Sequence, residues 1–185
     1  MPRKADAHLE GRILDAAYKL WKERGESALT MRAVAKAAGT TTPTMYQRFR
    51  DKRDLLVLLR SRALGKLVTA LKPACSPAET CQRFLAFAST HPNEYRLLTA
   101  DWAARLSRDE PKPTFDLIKQ RLAEELGGKP EDHARLAMAL GAIVHGTAMM
   151  LLTEGVRENV SRELRSACHE ACEALIQYEA TRSMQ

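Results

Sequence analysis

Residues 29–56 read LTMRAVAKAAGTTTPTMYQRFRDKRDLL, and the local chemistry of this stretch sets the fold. Residues 31–38 put Val34, Ala35 and Ala38 on one face of a short helix. Thr30 stands where that helix needs an N-cap, because its hydroxyl oxygen can accept an amide that the first turn leaves open. Gly39 suits the corner that follows, since a sharp helix-to-helix turn needs a left-handed residue or one without a Cβ. A second helix opens at Thr41, another capping residue. Pro43 falls within its first turn, where a missing N–H does no harm. Met45, Tyr46 and Phe49 then follow at packing spacing. Asp51 can cap a further helix, with Asp54 favourable near the positive end of its dipole. Two short helices joined by a glycine turn form a helix-turn-helix, whose second helix enters the major groove of DNA.

The rest of the chain reads as helices on either side of this unit. Residues 1–6 are expected to be a frayed basic arm. Helix 1 is expected over 7–24, with Ile13, Ala16, Ala17, Leu20 and Trp21 on one face and Gly25 at the C′ position with positive φ. Leu55, Leu56, Leu58, Leu59, Ala63 and Leu67 make helix 4 amphipathic until it stops near Pro73. Ser76-Pro77-Ala78-Glu79 is a capping box with proline at N1, and it starts helix 5. His91-Pro92 ends that helix and begins helix 6, expected over 92–106. Pro111 and Pro113 mark a loop before helix 7, over 114–126, which Gly127-Gly128 ends. Helix 8 is expected over about 131–152 and helix 9 over 161–181, with a break at Gly155. No segment alternates with period two, so no strand is expected. The fold class is all-α with about nine helices. The expected domains are a three-helix DNA-binding domain over 7–55 and a helical ligand-binding and dimerisation domain over 56–185, linked by helix 4 at about 52–72.

The chain has 185 residues, 45% hydrophobic and 28% charged, with a net charge of +6. The charge is uneven: residues 1–66 hold 15 Lys and Arg against 7 Asp and Glu, a balance of +8, while 67–185 hold 14 against 16, a balance of −2. The basic excess therefore sits with the helix-turn-helix pattern and suits a polyanion partner, double-stranded DNA, although a generic solvated surface would look similar. The longest apolar run, 134–153, is interrupted by His145, Gly141 and Gly146, so no membrane partner is expected. The charged N-terminus lacks the apolar core of a signal peptide, and a cytoplasmic location is expected. Cys75, Cys81, Cys168 and Cys172 form no C-x-x-C and read as reduced, packed thiols.

The run RILDAAYKLWKERGESALTMRAVAKAAGTTTPTMYQRFRDKRDLL, within residues 8–62, resembles the DNA-binding domain of TetR-family transcriptional repressors. The resemblance lies in Ile13-Leu14 with Ala16-Ala17, Trp21, Gly25, Ala35 with Ala38-Gly39, Pro43-Thr44-Met45-Tyr46, Phe49 and Lys52. Two positions depart from the family pattern. Thr40 stands where an apolar valine is usual after the turn glycine, and Arg48 where a histidine or tyrosine is usual. PNEYRLL at 92–98, followed by Trp102, and Val144-His145-Gly146 are similar to one subgroup of TetR-like effector domains; the tryptophan that often precedes the His-Gly is absent. The resemblance implies a homodimeric repressor released from a pseudo-palindromic operator by a small-molecule effector, controlling nearby genes such as those for efflux or catabolism.

Within that frame, Thr42, Pro43, Thr44 and Gln47 suit base edges. Threonine hydroxyls bond several bases, Pro43 and the threonine methyls can touch a thymine methyl, and Gln47 can pair with adenine. The same residues would also suit an ordinary solvated helix start. Arg32 is expected on guanine or phosphate, while Tyr46, Arg48 and Lys52 are expected on phosphates; a core position is the alternative for Tyr46. Thr30 and Thr41, the two caps, complete the DNA-binding set. For the effector, Phe84, Phe87, Tyr95, Asp101, Trp102, Phe115 and His145 supply apolar and polar groups suited either to a cavity or to a plain core. Helices 8 and 9 are expected to dimerise over Ala134, Ala137, Met138, Gly141, Ala148 and Leu152, a face that burial within one chain would also use. Cys168 and Cys172 share a helix face beside His169, which fits a thiol sensor or simple packing. No metal site and no cofactor are expected. The chain has no G-x-S-x-G, H-E-x-x-H or phosphate loop, so an enzyme is not expected. An architectural DNA binder without a ligand remains the alternative from another class.

Overall fold

Four polar side chains start four helices. Thr30 accepts the Ala33 amide at 3.1 Å, Ser76 accepts Glu79 at 3.1 Å, Thr41 accepts Thr44 at 3.3 Å, and Asp51 accepts Arg53 at 2.7 Å. The computed structural model describes residues 7–100 and 111–183. Among these, nine α-helices run in order and no strand occurs: α1 (Ala7–Arg24), α2 (Met31–Ala37), α3 (Thr42–Tyr46), α4 (Lys52–Leu71), α5 (Pro77–Thr90), α6 (Pro92–Thr99), α7 (Pro113–Leu126), α8 (Ala134–Leu151) and α9 (Glu158–Ser183). The all-α expectation holds. Single 3-10 turns precede α2 and α8. The expected basic arm, and the extension of helix 6 to Leu106, lie outside the described residues.

The chain divides into two units. One takes residues through Gly65 together with the segment from Asn93; the other takes Lys66–Pro92 and the remainder. The border thus falls inside α4, and α6 joins the first unit rather than the helical domain in which its sequence position puts it. Hydrogen bonds explain the grouping. The Tyr18 hydroxyl donates to Glu94 Oε1 at 2.9 Å, Trp21 Nε1 to the Asn93 carbonyl at 2.9 Å, and Asn93 Nδ2 to the Lys22 carbonyl at 2.9 Å. At the other end of the helix, Arg60 Nε donates to the Leu97 carbonyl at 3.2 Å. Tyr95, Leu97 and Leu98 are buried, and Glu94 is 1% exposed. A carboxyl this deep requires a donor, and Tyr18 is that donor. Burial, then the bond to Glu94, pushes the Tyr18 hydroxyl well above its ordinary acidity range, so it keeps its proton.

In α1 the buried face is Leu9, Ile13, Ala17, Tyr18 and Trp21, while Ala16 and Leu20 are half-buried. In α4 the buried series is Leu55, Leu59, Ala63, Leu67 and Leu71, every fourth residue. Leu58 is therefore exposed and Leu56 half-buried, although both look like core residues in the sequence.

In the second unit, α5 packs against α8 and α9, and α7 packs against α5 and α8. Leu136, Ala137, Leu140, Val144 and Ala148 form the inner face of α8. This corrects the dimer face expected from sequence: Ala137 and Ala148 belong to the core of the unit. The opposite side exposes Met138, Ala139, Ala142, Gly146, Met149 and Met150. With the turn before it, this helix forms a stretch, Pro130–Leu151, long and apolar enough to cross a membrane by length and composition, with a mean hydropathy of 1.4. Its contacts with α5 and α9 make it a core helix, and because only 28% of that apolar window is buried, its other side is left uncovered.

Candidate nucleic-acid interface

The corner between α2 and α3 closes by backbone chemistry. Gly39 takes φ +66, the left-handed region that a side chain disfavours. Its amide then bonds the Lys36 carbonyl at 3.3 Å, and the Thr40 amide bonds the Ala35 carbonyl at 2.9 Å. This is a Schellman ending, and it satisfies carbonyls that α2 would otherwise leave open. Thr40, where the TetR pattern carries valine, takes part through its amide, which any residue supplies. Thr41 caps α3 at once, so the turn has no slack. Met45 (0% exposed) and Phe49 (3%) then anchor α3 and the turn after it in the core of the unit.

With those anchors inward, the opposite side of α3 faces outward. Pro43, Tyr46, Gln47 and Arg48 are exposed, and Thr42 and Thr44 half-exposed. Tyr46 is 55% exposed, which removes the core role its sequence also allowed. Gln47 and Arg32 are exposed and make no side-chain polar contact among the described residues. Thr30 and Thr41 use their hydroxyl oxygens as caps. Lys52 is not an open cation: its ammonium lies 3.5 Å from Glu26 Oε1 and 3.4 Å from the Glu26 carbonyl, tying the start of α4 to the turn before α2. Arg50 is likewise engaged. It binds Asp54 through Nε (3.0 Å) and Nη2 (3.2 Å), and these bonds hold the Asp54 carboxyl below the usual carboxylate range. Lys36 and Arg53 are two further cations beside α3 that the sequence does not single out. Both are exposed and carry no ion pair among the described residues, one in the last turn of α2 and the other in the first turn of α4. Their position flanking the second helix is the signal that could have drawn attention to them.

The described residues expected around an effector are divided between the two units. Tyr95 is fully buried in the first unit, and burial raises its pKa. Phe84, Phe87, Phe115 and His145 lie in the second. There Phe87 is buried and stacks on His91 at 4.6 Å, Lys119 lies 5.4 Å above the Phe115 ring, and Phe84 is half-buried. His145 is half-buried, and burial lowers its pKa, which favours the neutral ring. Asp101 and Trp102 lie outside the described residues.

Cys81 adds a third thiol to Cys168 and Cys172, and all three are buried and free. The bond to Cys172 and then burial push the Cys168 thiol up. For Cys172 the bond from Cys168 acts downward, but the bond with Cys81 and burial outweigh it and bring the group to about 12. Thiols held protonated in this way are poor nucleophiles. No group of three or more ligating side chains among the described residues could hold a metal ion.

Two short helices, α2 and α3, joined by a tight glycine turn with the outer side of the second exposed, form a helix-turn-helix. The model of the tetR family of bacterial regulatory proteins matches residues 13–59. The model of tetracyclin repressor-like C-terminal domains matches residues 78–175, more than half of the chain. Uncharacterized HTH-type transcriptional regulators from two Mycobacterium tuberculosis strains are 31% identical over 135 residues, which is 69% of this chain and 59% of theirs. The match thus covers less than two thirds of those curated relatives. Among solved structures, a TetR variant from Acinetobacter baumannii AYE in complex with minocycline is similar at a TM-score of 0.67 and 20% identity, covering 97% of this chain and 99% of that one. A TetR-family transcriptional regulator from Streptomyces coelicolor is similar at 0.65 and 23%, covering 92% and 98%. The chain belongs to the tetR family of bacterial regulatory proteins.

Proposed function

We propose that this chain is a sequence-specific DNA-binding transcriptional regulator, a repressor released from a pseudo-palindromic operator by a small molecule. The observation that carries the reading is the outward side of α3, where Thr42, Pro43, Thr44 and Gln47 stand on a helix anchored from behind by Met45 and Phe49. Gln47 reads adenine and Arg32 reads guanine or phosphate. Tyr46, Arg48, Lys36 and Arg53 hold phosphates, and Lys52 joins them by exchanging Glu26 for a phosphate oxygen. The caps Thr30 and Thr41 fix the helices that bear these groups. Two copies of the chain join through α8 and α9, with Met138, Ala142, Gly146 and Met149 on the covered face. They set two copies of α3 about 34–36 Å apart, one turn of the double helix.

The effector is a small organic molecule bound in the second unit, in line with the minocycline bound by the Acinetobacter relative. It releases DNA only through its different affinity for the two arrangements of the dimer. Helix α4 runs from one unit into the other and is the natural link. The protein is not an enzyme, and its partner, DNA, sets its location in the cytoplasm. Footprinting of the purified protein on genomic fragments tests the reading: one short protected palindrome supports it, and uniform coverage favours an architectural binder instead.

A further inference from the structure

Two consecutive residues of α6 hold one face of the last turns of α1. Glu94 accepts the Tyr18 hydroxyl, the Asn93 carbonyl accepts Trp21 Nε1, and Asn93 Nδ2 donates to the Lys22 carbonyl, each at 2.9 Å. Positions 18, 21 and 22 share that face by helical spacing. The Lys22 carbonyl is among the last four of α1, which a helix end leaves without partners of its own. Its donor comes from Asn93, 71 residues away. The same side chain lies over the residue at which α1 stops: a Cβ on Gly25 would stand 3.5 Å from Asn93 Oδ1. Gly25 takes φ +68, and its amide closes α1 on the Trp21 carbonyl at 2.8 Å. From there only residues 26–29 lead to Thr30, the cap of α2. They form the 3-10 turn Glu26–Ala28 and the buried Leu29. The Leu29 amide bonds the Glu26 carbonyl and the Thr30 amide the Ala28 carbonyl, both at 3.1 Å. A connection this short and this fully bonded passes the position of the α1 end on to the start of α2.

We propose that Asn93 is a positioning residue for operator binding. By closing the end of α1 from α6, its amide holds the turn that sets where α2 begins, and the corner at Gly39 carries that placement on to α3. Asn93 lies outside the helix-turn-helix sequence and supplies no group to the outward side of α3. Base readout requires one pose of α3, so it loses affinity in proportion to the time the turn spends elsewhere. Phosphate contacts on arbitrary DNA tolerate many poses and do not feel that loss. This inference rests on the docking of α3 in the major groove proposed above.

The test measures binding of the full-length protein to two duplexes, one carrying the site that the wild type selects and one of the same length with that site scrambled. Protein concentrations are those of binding-competent molecules, from stoichiometric titration, so a merely less stable variant shows unchanged affinities. Asn93→Ala should bind the selected duplex about fivefold more weakly, the worth of one hydrogen bond, and the scrambled duplex as the wild type does. Asn93→Asp keeps the size, removes the donor and turns a carboxylate oxygen toward the Lys22 carbonyl, so its loss on the selected duplex should be at least as large. Gly25→Ala strains the same turn through its own backbone and should show the same split between the two duplexes. Asn93 variants that bind the selected duplex like the wild type, or that lose the same factor on both duplexes, overturn the positioning role while leaving the docking of α3 intact. A wild type that selects no site overturns the docking reading, and this one with it.

Discussion

Tyr18→Phe removes one oxygen atom and leaves the Glu94 carboxyl, 1% exposed, without the hydroxyl that donates to it at 2.9 Å. No other side-chain hydrogen bond to Glu94 occurs among the described residues. The ring itself stays packed, with the Arg62 guanidinium 4.8 Å from its centre, so the variant isolates the polar term. Orphaning a buried polar group costs about 1–3 kcal/mol, and an acidic one falls in the upper half of that range. The expected loss in urea unfolding, at fixed protein concentration, is therefore about 2 kcal/mol. Replacing both partners by apolar groups of similar shape is far less costly than replacing one. Tyr18→Phe combined with Glu94→Met should accordingly be more stable than Tyr18→Phe alone. The wild type should also lose stability more steeply than Tyr18→Phe as the pH rises. The Tyr18 pKa is raised in the folded state, so its contribution is complete below the unfolded value of about 10 and is lost as the pH climbs beyond it. A Tyr18→Phe protein within about 0.5 kcal/mol of wild type, or a double variant no better than the single, would refute the reasoning.

Gly39→Ala meets no atom within 4 Å, so its penalty is purely that of a left-handed alanine, about 1–2 kcal/mol; an unchanged melting temperature would contradict the conformational requirement at the turn. Lys52→Ala should flatten the salt dependence of DNA binding by about one ion, and Glu26→Gln, which removes the ion pair and leaves Lys52 only the Glu26 carbonyl, should raise affinity; a slope indifferent to both substitutions takes Lys52 out of the phosphate contacts. Met149→Glu puts a charge on the uncovered side of α8 and should shift sedimentation from dimer to monomer. A dimer that survives it would move the interface elsewhere.

The parts of this fold legible in the sequence are those governed by neighbouring residues. Thr30, Thr41, Asp51 and Ser76 cap the helices they precede, because capping is chemistry across three positions. Gly39 makes its corner for the same reason. The attachment of α6 to α1 is not legible, since Tyr18 and Glu94 are 76 residues apart and a glutamate in a first turn looks like ordinary dipole compensation. Helix α8 is apolar nearly all round, so its periodicity does not tell the inner Ala137 from the outer Met138. The outward side of α3 is legible in its outline, Thr42 to Gln47, but the ion pairs around it are not. Whether Lys52 is open or held by Glu26 depends on the return of the chain 26 residues later. Least legible is whether residues such as Phe84 and Phe115 meet a ligand, because aromatic and apolar side chains line cavities and fill cores alike.

In the proposed function the outward side of α3 reads base sequence. Selection of DNA sites from a random pool, run in parallel with wild type and Gln47→Ala, tests it most directly. The wild type should enrich a palindrome with half-site centres about 10 base pairs apart, and Gln47→Ala should keep this motif but lose preference at one position of each half, at a cost of about 1–3 kcal/mol. A pool with no enriched motif, or a motif identical for both proteins, would contradict it.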